Sequence, residues 1–390
     1  MNTQTKENYF LSQPHQPFFL LGVINAIVMM LIFALSYKGI LSLVIDIKTF
    51  HVYSLTFLLF MNVFTGFLFT TFPRFNQSDV ISKKYYVNTF LTALIGSALF
   101  VSGSFISVEL TALGMFVTFL AQLLIVTKLH IIYKSGKAPD KIDSFWILNA
   151  NYFGLFGNAF FILSLYVPST INAAINISFY LYLIFLAFSV GQRMIPFFSH
   201  SFAQKNENFV KIVFILFLAK ALVSSLGILY GEIFIDLLLG VYFLIEFKRW
   251  ELKPLESPAI LWVLHLALFW LPTAFLLSAL SLIGEIFLDT SFYFLNTHLL
   301  AIGFLTTVLI GFGTRVTLGH SGQPPHGDKL ATTIFIFIQV VVLGRVLYSL
   351  NVAFGWGLNF FFDISFTLWL ILFVVWGLRY GKVLVSGAKI

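Results

Sequence analysis

Long apolar runs follow one another along almost the entire chain, and each is long enough to cross a membrane as a helix. The hydrocarbon core of a bilayer is about 30 Å thick, which corresponds to about 20 helical residues. Runs of that length, separated by polar or charged breaks, lie at about 18–37, 50–73, 86–104, 106–133, 144–166, 171–192, 209–228, 231–247, 258–283, 291–314, 330–350 and 358–379. The pattern predicts an all-α, polytopic integral membrane helix bundle of about twelve transmembrane helices.

Little of the chain is left over for a soluble domain. Hydrophobic residues make up 59% of the 390 residues and charged residues only 10%, which is far from the composition of soluble domains. Residues 1–17 are polar and show no cleavable signal. We therefore expect a short cytoplasmic tail over residues 1–17 and a single transmembrane domain over residues 18–390.

The distribution of Lys and Arg predicts the orientation of the helices. Basic residues accumulate in the cytoplasmic loops of membrane proteins. With the N-terminus inside, eighteen of the 23 Lys and Arg residues fall in cytoplasmic segments, and only Lys38 and Lys48 fall on the opposite side. We expect both termini in the cytoplasm and an even number of spans. The net charge of +7 follows from this topology and requires no nucleic-acid partner.

The chain contains no cysteine, which excludes disulfides, iron–sulfur clusters, thiolate-ligated haem and thiolate copper centres. Any bound metal must be held mainly by histidine. His51, His265 and His298 lie within or near the ends of predicted spans two, nine and ten, where a histidine is costly unless it has a partner. They are the candidate metal ligands. Interhelical hydrogen bonds that serve packing alone are the alternative.

Lys220 lies near the middle of the seventh predicted span, where a buried ammonium group needs a partner. It is either a functional counter-ion or a lysine that reaches along a short helix to the membrane surface. Acidic residues, among them Glu232 and Asp236, crowd the predicted outer ends of the spans. They are candidates for guiding protons or cations.

Several short sequence elements occur together in an order found in one known family. Residues 298–322 read HLLAIGFLTTVLIGFGTRVTLGHSG, residues 191–198 read GQRMIPFF, residues 264–266 read LHL and residues 17–20 read PFFL. In order and spacing these elements resemble the NnrS family, bacterial membrane proteins described as binding haem and copper and linked to the response to nitric oxide. The resemblance implies a haem protein of the bacterial inner membrane, with copper as a further metal.

The chain departs from the family pattern at the start of the second span. Family members usually carry Trp-His-Ala-His-Glu there, whereas residues 50–54 read Phe-His-Val-Tyr-Ser, so that His51 is retained and the second histidine and the glutamate are not. We interpret the chain as a divergent member. Tyr53 points about 200° away from His51 around a helix and does not replace the lost histidine directly.

The resemblance gives a role to basic residues near the predicted inner side. Arg193 and Arg315 are expected to end spans six and ten, beside His320. Guanidinium groups bind carboxylates such as haem propionates bidentately. We therefore predict Arg193, Arg315 and His320 as cofactor-binding residues. Arginines at the inner ends of spans are also what the distribution of positive charge predicts, and that interpretation stays open.

The function that the resemblance implies is haem binding, with copper as a further metal, in tolerance of nitric oxide or nitrosative stress and in connection with denitrification. Nitric oxide is the expected ligand, and no catalytic step is assigned. The alternative is a secondary membrane transporter of a small solute, for which twelve spans and intramembrane charges are ordinary. An absorption spectrum of the purified protein separates the two.

Overall fold

A computed structural model describes residues 8–204 and 206–390, and every regular element in those ranges is helical. Twelve long helices follow one another: α1 His15–Tyr37, α2 Ile47–Phe75, α3 Lys83–Ile106, α4 Val108–Ser135, α5 Ile142–Ser164, α6 Pro168–Phe198, α7 Phe209–Ser225, α8 Leu229–Arg249, α9 Ala259–Leu288, α10 Leu295–His320, α11 Lys329–Ala353 and α12 Phe360–Ser386. They correspond one to one with the twelve apolar runs. The predicted all-helical membrane fold is confirmed.

Ten of these helices are long and apolar enough to cross a membrane, within the described parts of the chain. The other two, α7 and α8, are adjacent in sequence. Helix α7 has only 17 residues, and α8 carries charges near both ends, at Glu232, Asp236, Glu246, Lys248 and Arg249. The helical hairpin of α7 and α8 is therefore the most polar part of the predicted set of spans.

Polar side chains at the breaks between apolar runs begin several helices. The carboxylate of Asp46 accepts a hydrogen bond from Thr49 N (2.9 Å) at the start of α2. The Ser107 hydroxyl accepts one from Leu110 N (3.2 Å) at the start of α4. Such caps typically contribute about 1 kcal/mol each. Ser107 alone separates α3 from α4, so a single capped residue is enough to end one helix and begin the next.

Small residues let neighbouring helices approach closely. A Cβ atom on Gly103 of α3 would lie 2.4 Å from the backbone nitrogen of Thr111, and one on Gly114 of α4 would lie 2.3 Å from that of Phe100. These distances are far shorter than any van der Waals contact, so only glycine fits. Close approach of backbones at small residues is the usual way in which helices pack in a membrane.

Three helices contain π-helical stretches, at Ser54–Phe60 in α2, Ile177–Ile184 in α6 and Leu299–Thr306 in α10. In α10 the Thr306 hydroxyl donates to the carbonyl oxygen of Ala301, five residues back, as the wider π turn requires. π-Helical turns are rare and occur frequently at functional sites. The stretch in α10 begins directly after His298, and the stretch in α2 begins three residues after His51.

The described residues form two compact units. The first comprises the described residues up to Ile171 together with Gly313–Pro325 and Phe373–Ile390, and the second comprises Asn172–Phe312 and His326–Leu372. Of the predicted tail over residues 1–17, residues 1–7 lie outside the described ranges, as does Lys205 in the connection between α6 and α7.

Within the first unit, the beginning of α1 and the end of α12 lie on the same side. A Cβ atom on Gly387 would lie 2.8 Å from the ring of Tyr9, so the two segments are in contact. Gln323, which follows α10, donates to the carbonyl oxygen of Ala388 (3.4 Å) and accepts from Ile390 N (2.8 Å). An even number of crossings requires this arrangement. That the shared side faces the cytoplasm stays a prediction.

Candidate functional site

His265, on α9, is completely buried within the second unit. Its Nε2 atom lies 2.7 Å from the hydroxyl oxygen of Ser199, just beyond the end of α6. That hydroxyl donates its own hydrogen to the carbonyl oxygen of Ile195 (2.7 Å), so it accepts from Nε2–H of His265. The lone pair of the imidazole is therefore on Nδ1.

The Nδ1 atom of His265 is buried and has no hydrogen-bond partner among the described residues. A buried acceptor left unsatisfied costs about 1–3 kcal/mol. A ligand would remove this cost. Metal-binding histidines characteristically have one ring nitrogen fixed by a hydrogen bond while the other presents its lone pair. Of the three predicted metal ligands, His265 has the surroundings that fit this role best.

His298, in the first turn of α10, is half-buried and is oriented by the backbone. Its Nδ1 atom lies 2.9 Å from the carbonyl oxygen of Phe294 and must donate to it, because a carbonyl only accepts. In this tautomer Nε2 carries the lone pair, as a metal-binding imidazole requires. The π-helical stretch that starts at the next residue sets the orientation of this turn relative to the rest of α10.

His51, near the start of α2, is stacked on an aromatic ring of α1. Its ring centroid lies 4.0 Å from that of Phe33, with 29° between the ring planes. Tyr53 contacts other helices, since its hydroxyl lies 3.2 Å from Asn158 Oδ1 and 3.3 Å from the carbonyl oxygen of Met115. The two side chains leave α2 in different directions, as the helical spacing predicts.

Arg193 and Arg315 are both half-buried, and both lie inside their helices. The predicted spans end at residues 192 and 314, but α6 continues to Phe198 and α10 to His320. Hydrophobicity marks where the hydrocarbon ends, whereas the backbone hydrogen bonds of a helix continue into the polar interface. Each guanidinium group is therefore attached about one and a half turns before the end of its helix.

His320, the last residue of α10, lies beside His15, the first residue of α1, in the first unit. Their ring centroids are 4.9 Å apart. The sequence predicts His320 as a cofactor-binding residue, whereas His15 stands in a polar segment far away along the chain and has no predicted role. No local sequence pattern predicts the contact between His15 and His320, because the contact depends on how the two helix ends pack.

Lys220 has its partners on the next helix of the second unit. Its Nζ atom lies 3.0 Å from Glu232 Oε2 and 2.9 Å from Asp236 Oδ2. Two serine hydroxyls donate further hydrogen bonds to these carboxylates. Ser224 donates to Glu232 (2.8 Å), and Ser278 donates to Asp236 (2.6 Å). We call Lys220, Glu232 and Asp236 the charge cluster. Lys220 is thus a counter-ion, and does not reach along its helix to the membrane surface.

The fold and these side chains define a class of protein: a multi-span helical membrane protein that buries imidazole groups and a charge cluster. Residues 9–387, nearly the whole chain, match the family described as NnrS protein. The chain belongs to the NnrS family, and the resemblance of its short motifs to that family is confirmed. No curated protein matches the chain.

Haem iron and a structural metal ion differ in the number of protein side chains that they need as ligands. Within the described ranges, no group of three or more His, Asp or Glu side chains is placed to hold one metal ion, whereas a structural zinc site uses four. Haem iron needs only one or two axial side chains because the porphyrin supplies its other ligands. Single imidazoles such as those of His265 and His298 meet that need.

Proposed function

We propose that this protein binds haem in the bacterial inner membrane, binds copper as a further metal, and acts in tolerance of nitric oxide or nitrosative stress, in connection with denitrification. Membership of the NnrS family over residues 9–387 is the observation that carries the proposal. The buried, unsatisfied Nδ1 atom of His265 supports it, because it offers a lone pair that no described protein group uses.

In this proposal His265 and His298 are the haem ligands to test first. In both, one ring nitrogen is held by a hydrogen bond, and in His265 the other ring nitrogen is buried without a hydrogen-bond partner among the described residues. His51 is the third candidate, on the basis of its position in the family motif. Arg193, Arg315 and His320 stay predicted cofactor-binding residues, the two arginines because guanidinium groups stay charged and bind carboxylates such as haem propionates bidentately.

The chemistry of nitric oxide suits a site inside the bilayer. Nitric oxide is a small apolar molecule, so it concentrates in lipid, and ferrous haem binds it strongly when present. The helices would keep bulk water away from the site, and the histidine hydrogen bonds would hold the ligating nitrogens in a fixed orientation.

The test is the haem content of the purified protein and of single histidine variants. We expect a Soret band in the natural protein that is lost or shifted in His265→Ala. His130→Ala is the matched control, because His130 is also on a long helix but, unlike His265, does not have a buried ring nitrogen without a hydrogen-bond partner. A His265→Ala protein with an unchanged Soret band would remove His265 from the proposal.

The charge cluster favours a second candidate function, the coupling of a proton or cation to transport of a small solute. Intramembrane ionisable residues commonly mark proton or ion pathways, and Asp236 keeps one carboxylate oxygen, Oδ1, buried without a hydrogen-bond partner among described residues. Proton flux in liposomes that contain the protein tests this function. A flux that Asp236→Asn abolishes supports transport, and equal flux in empty liposomes rejects it.

A further inference from the structure

The first turn of α1 and the last turn of α10 bring two imidazole groups together in the first unit. The ring centroids of His15 and His320 are 4.9 Å apart, and the ring planes are tilted by 45°. The residues are 305 positions apart in the sequence. Both belong to the same compact unit, so the contact is part of its internal packing.

His15 is buried, with only 1% of its surface exposed. Its Nδ1 atom has no hydrogen-bond partner among the described residues. Its ring also contacts the edge of Phe19, with 5.7 Å between centroids. A buried imidazole nitrogen left in this state costs free energy. A ligand shared with the neighbouring imidazole would remove that cost.

The backbone around His15 is held tightly. A Cβ atom on Gly66 of α2 would lie 3.1 Å from the Cα atom of His15 and 3.0 Å from Cβ of Phe18. The start of α1 therefore rests directly against the backbone of α2. This packing fixes the backbone position of His15 before any ligand binds, which lowers the entropic cost of binding.

We propose that His15 and His320 together bind one late first-row transition metal ion, with copper preferred. Imidazole is a good ligand for copper, zinc, nickel and iron, and copper binds most tightly in the divalent series. A metal–nitrogen bond of about 2.0 Å puts each ring centroid roughly 3.2 Å from the ion. Two centroids 4.9 Å apart then subtend roughly 100° at the ion, which suits two adjacent positions of a tetrahedral or square-planar centre.

If His15 and His320 are the ligands of the copper ion, this site rests on the copper part of the proposed function. It does not depend on haem. It is also separate from the start of α2, where the family's second histidine is replaced by Tyr53. Two protein ligands leave the remaining coordination positions for exchangeable ligands. The site is therefore suited to an ion that binds a small molecule or is passed on, and less suited to a structural ion.

The experiment is titration of the purified full-length protein in detergent with Cu²⁺ alone, followed by electron paramagnetic resonance. We expect one Cu²⁺ per chain with hyperfine coupling to imidazole nitrogen. His320→Ala and His15→Gln should each weaken Cu²⁺ binding at least tenfold and reduce the nitrogen coupling. The second substitution keeps a polar side chain of similar length, so that the start of α1 still packs. His326→Ala is the matched control, because His326 is exposed in the loop that follows His320.

Unchanged Cu²⁺ affinity and an unchanged spectrum in both His320→Ala and His15→Gln would overturn the proposal, as would loss of the signal in His326→Ala. The Soret band of the same samples keeps this outcome separate from that of the haem proposal. A protein without haem that binds Cu²⁺ through His15 and His320 contradicts only the haem function. A protein with haem whose copper is insensitive to both substitutions contradicts only this site.

Discussion

Lys220 and Asp236 form an ion pair in surroundings from which water is excluded. Removing charges from water is costly, and the pair is tolerated only because each charge is compensated. The Nζ atom of Lys220 contacts two carboxylates, and the Ser278 hydroxyl binds the second of these, on Asp236. At the scale of single residues, the structure depends on such compensated groups.

Lys220→Met should destabilise the protein by about 3–5 kcal/mol, because it leaves two carboxylates without their buried counter-ion. The measurement is the thermal unfolding midpoint in detergent. Lys211→Met is the matched control, since Lys211 lies on the same helix but is exposed. Adding Asp236→Asn to Lys220→Met should recover part of the loss. Equal midpoints for the Lys220 and Lys211 variants would contradict this account of the cluster.

Helices α9 and α10 cross at a glycine in the second unit. A Cβ atom on Gly303 would lie 2.5 Å from Cδ2 of the Trp270 ring, and the indole is held in place because its Nε1–H donates to Gln339 Oε1 (2.8 Å). At the scale of elements, the absence of a side chain at one position therefore sets the distance between two helices.

Gly303→Ala should reduce stability by about 1–3 kcal/mol, the usual cost of overpacking, because the indole cannot move without losing its hydrogen bond. Gly319→Ala is the control on the same helix, where an added Cβ meets nothing within 4 Å. Unfolding midpoints of the two variants in detergent provide the comparison. If the Gly303 variant unfolds at the same temperature as the control, the crossing is less tightly packed than described.

The existence and order of the helices are predictable from hydrophobicity, whereas some of their boundaries are not. The run predicted at 330–350 corresponds closely to Lys329–Ala353, but the run predicted at 291–314 corresponds to Leu295–His320. The π-helical stretches were not predicted, because a change from i+4 to i+5 hydrogen bonding leaves the apolar character of a run unchanged.

Some side-chain contacts at the candidate sites are likewise predictable from the sequence, whereas others are not. Glu232 and Asp236 follow Lys220 across one short turn, so an antiparallel hairpin of α7 and α8 is enough to predict that they meet. His265 is a candidate because a histidine inside a span is costly, but its bond to Ser199 depends on the packing of α6 against α9. The contact between His15 and His320 joins the two ends of distant helices and has no local signal.

At the scale of the whole molecule, the distribution of basic residues predicts which side of the membrane each loop occupies. A fluorescent protein fused after Ile390 should fluoresce, because it stays in the cytoplasm. Alkaline phosphatase fused after Gly39, in the loop between α1 and α2, should be active because it is exported. An inactive phosphatase at Gly39 together with a dark fusion after Ile390 would reverse the orientation of all twelve helices.

We propose that this membrane protein holds haem where nitric oxide can reach it. The most direct measurement is the absorption spectrum of the purified, chemically reduced protein before and after addition of nitric oxide. We expect a Soret band that shifts when the gas is added, because nitric oxide binds ferrous haem. A well-folded helical preparation that shows no Soret band, even after supply of haem during expression, would contradict it.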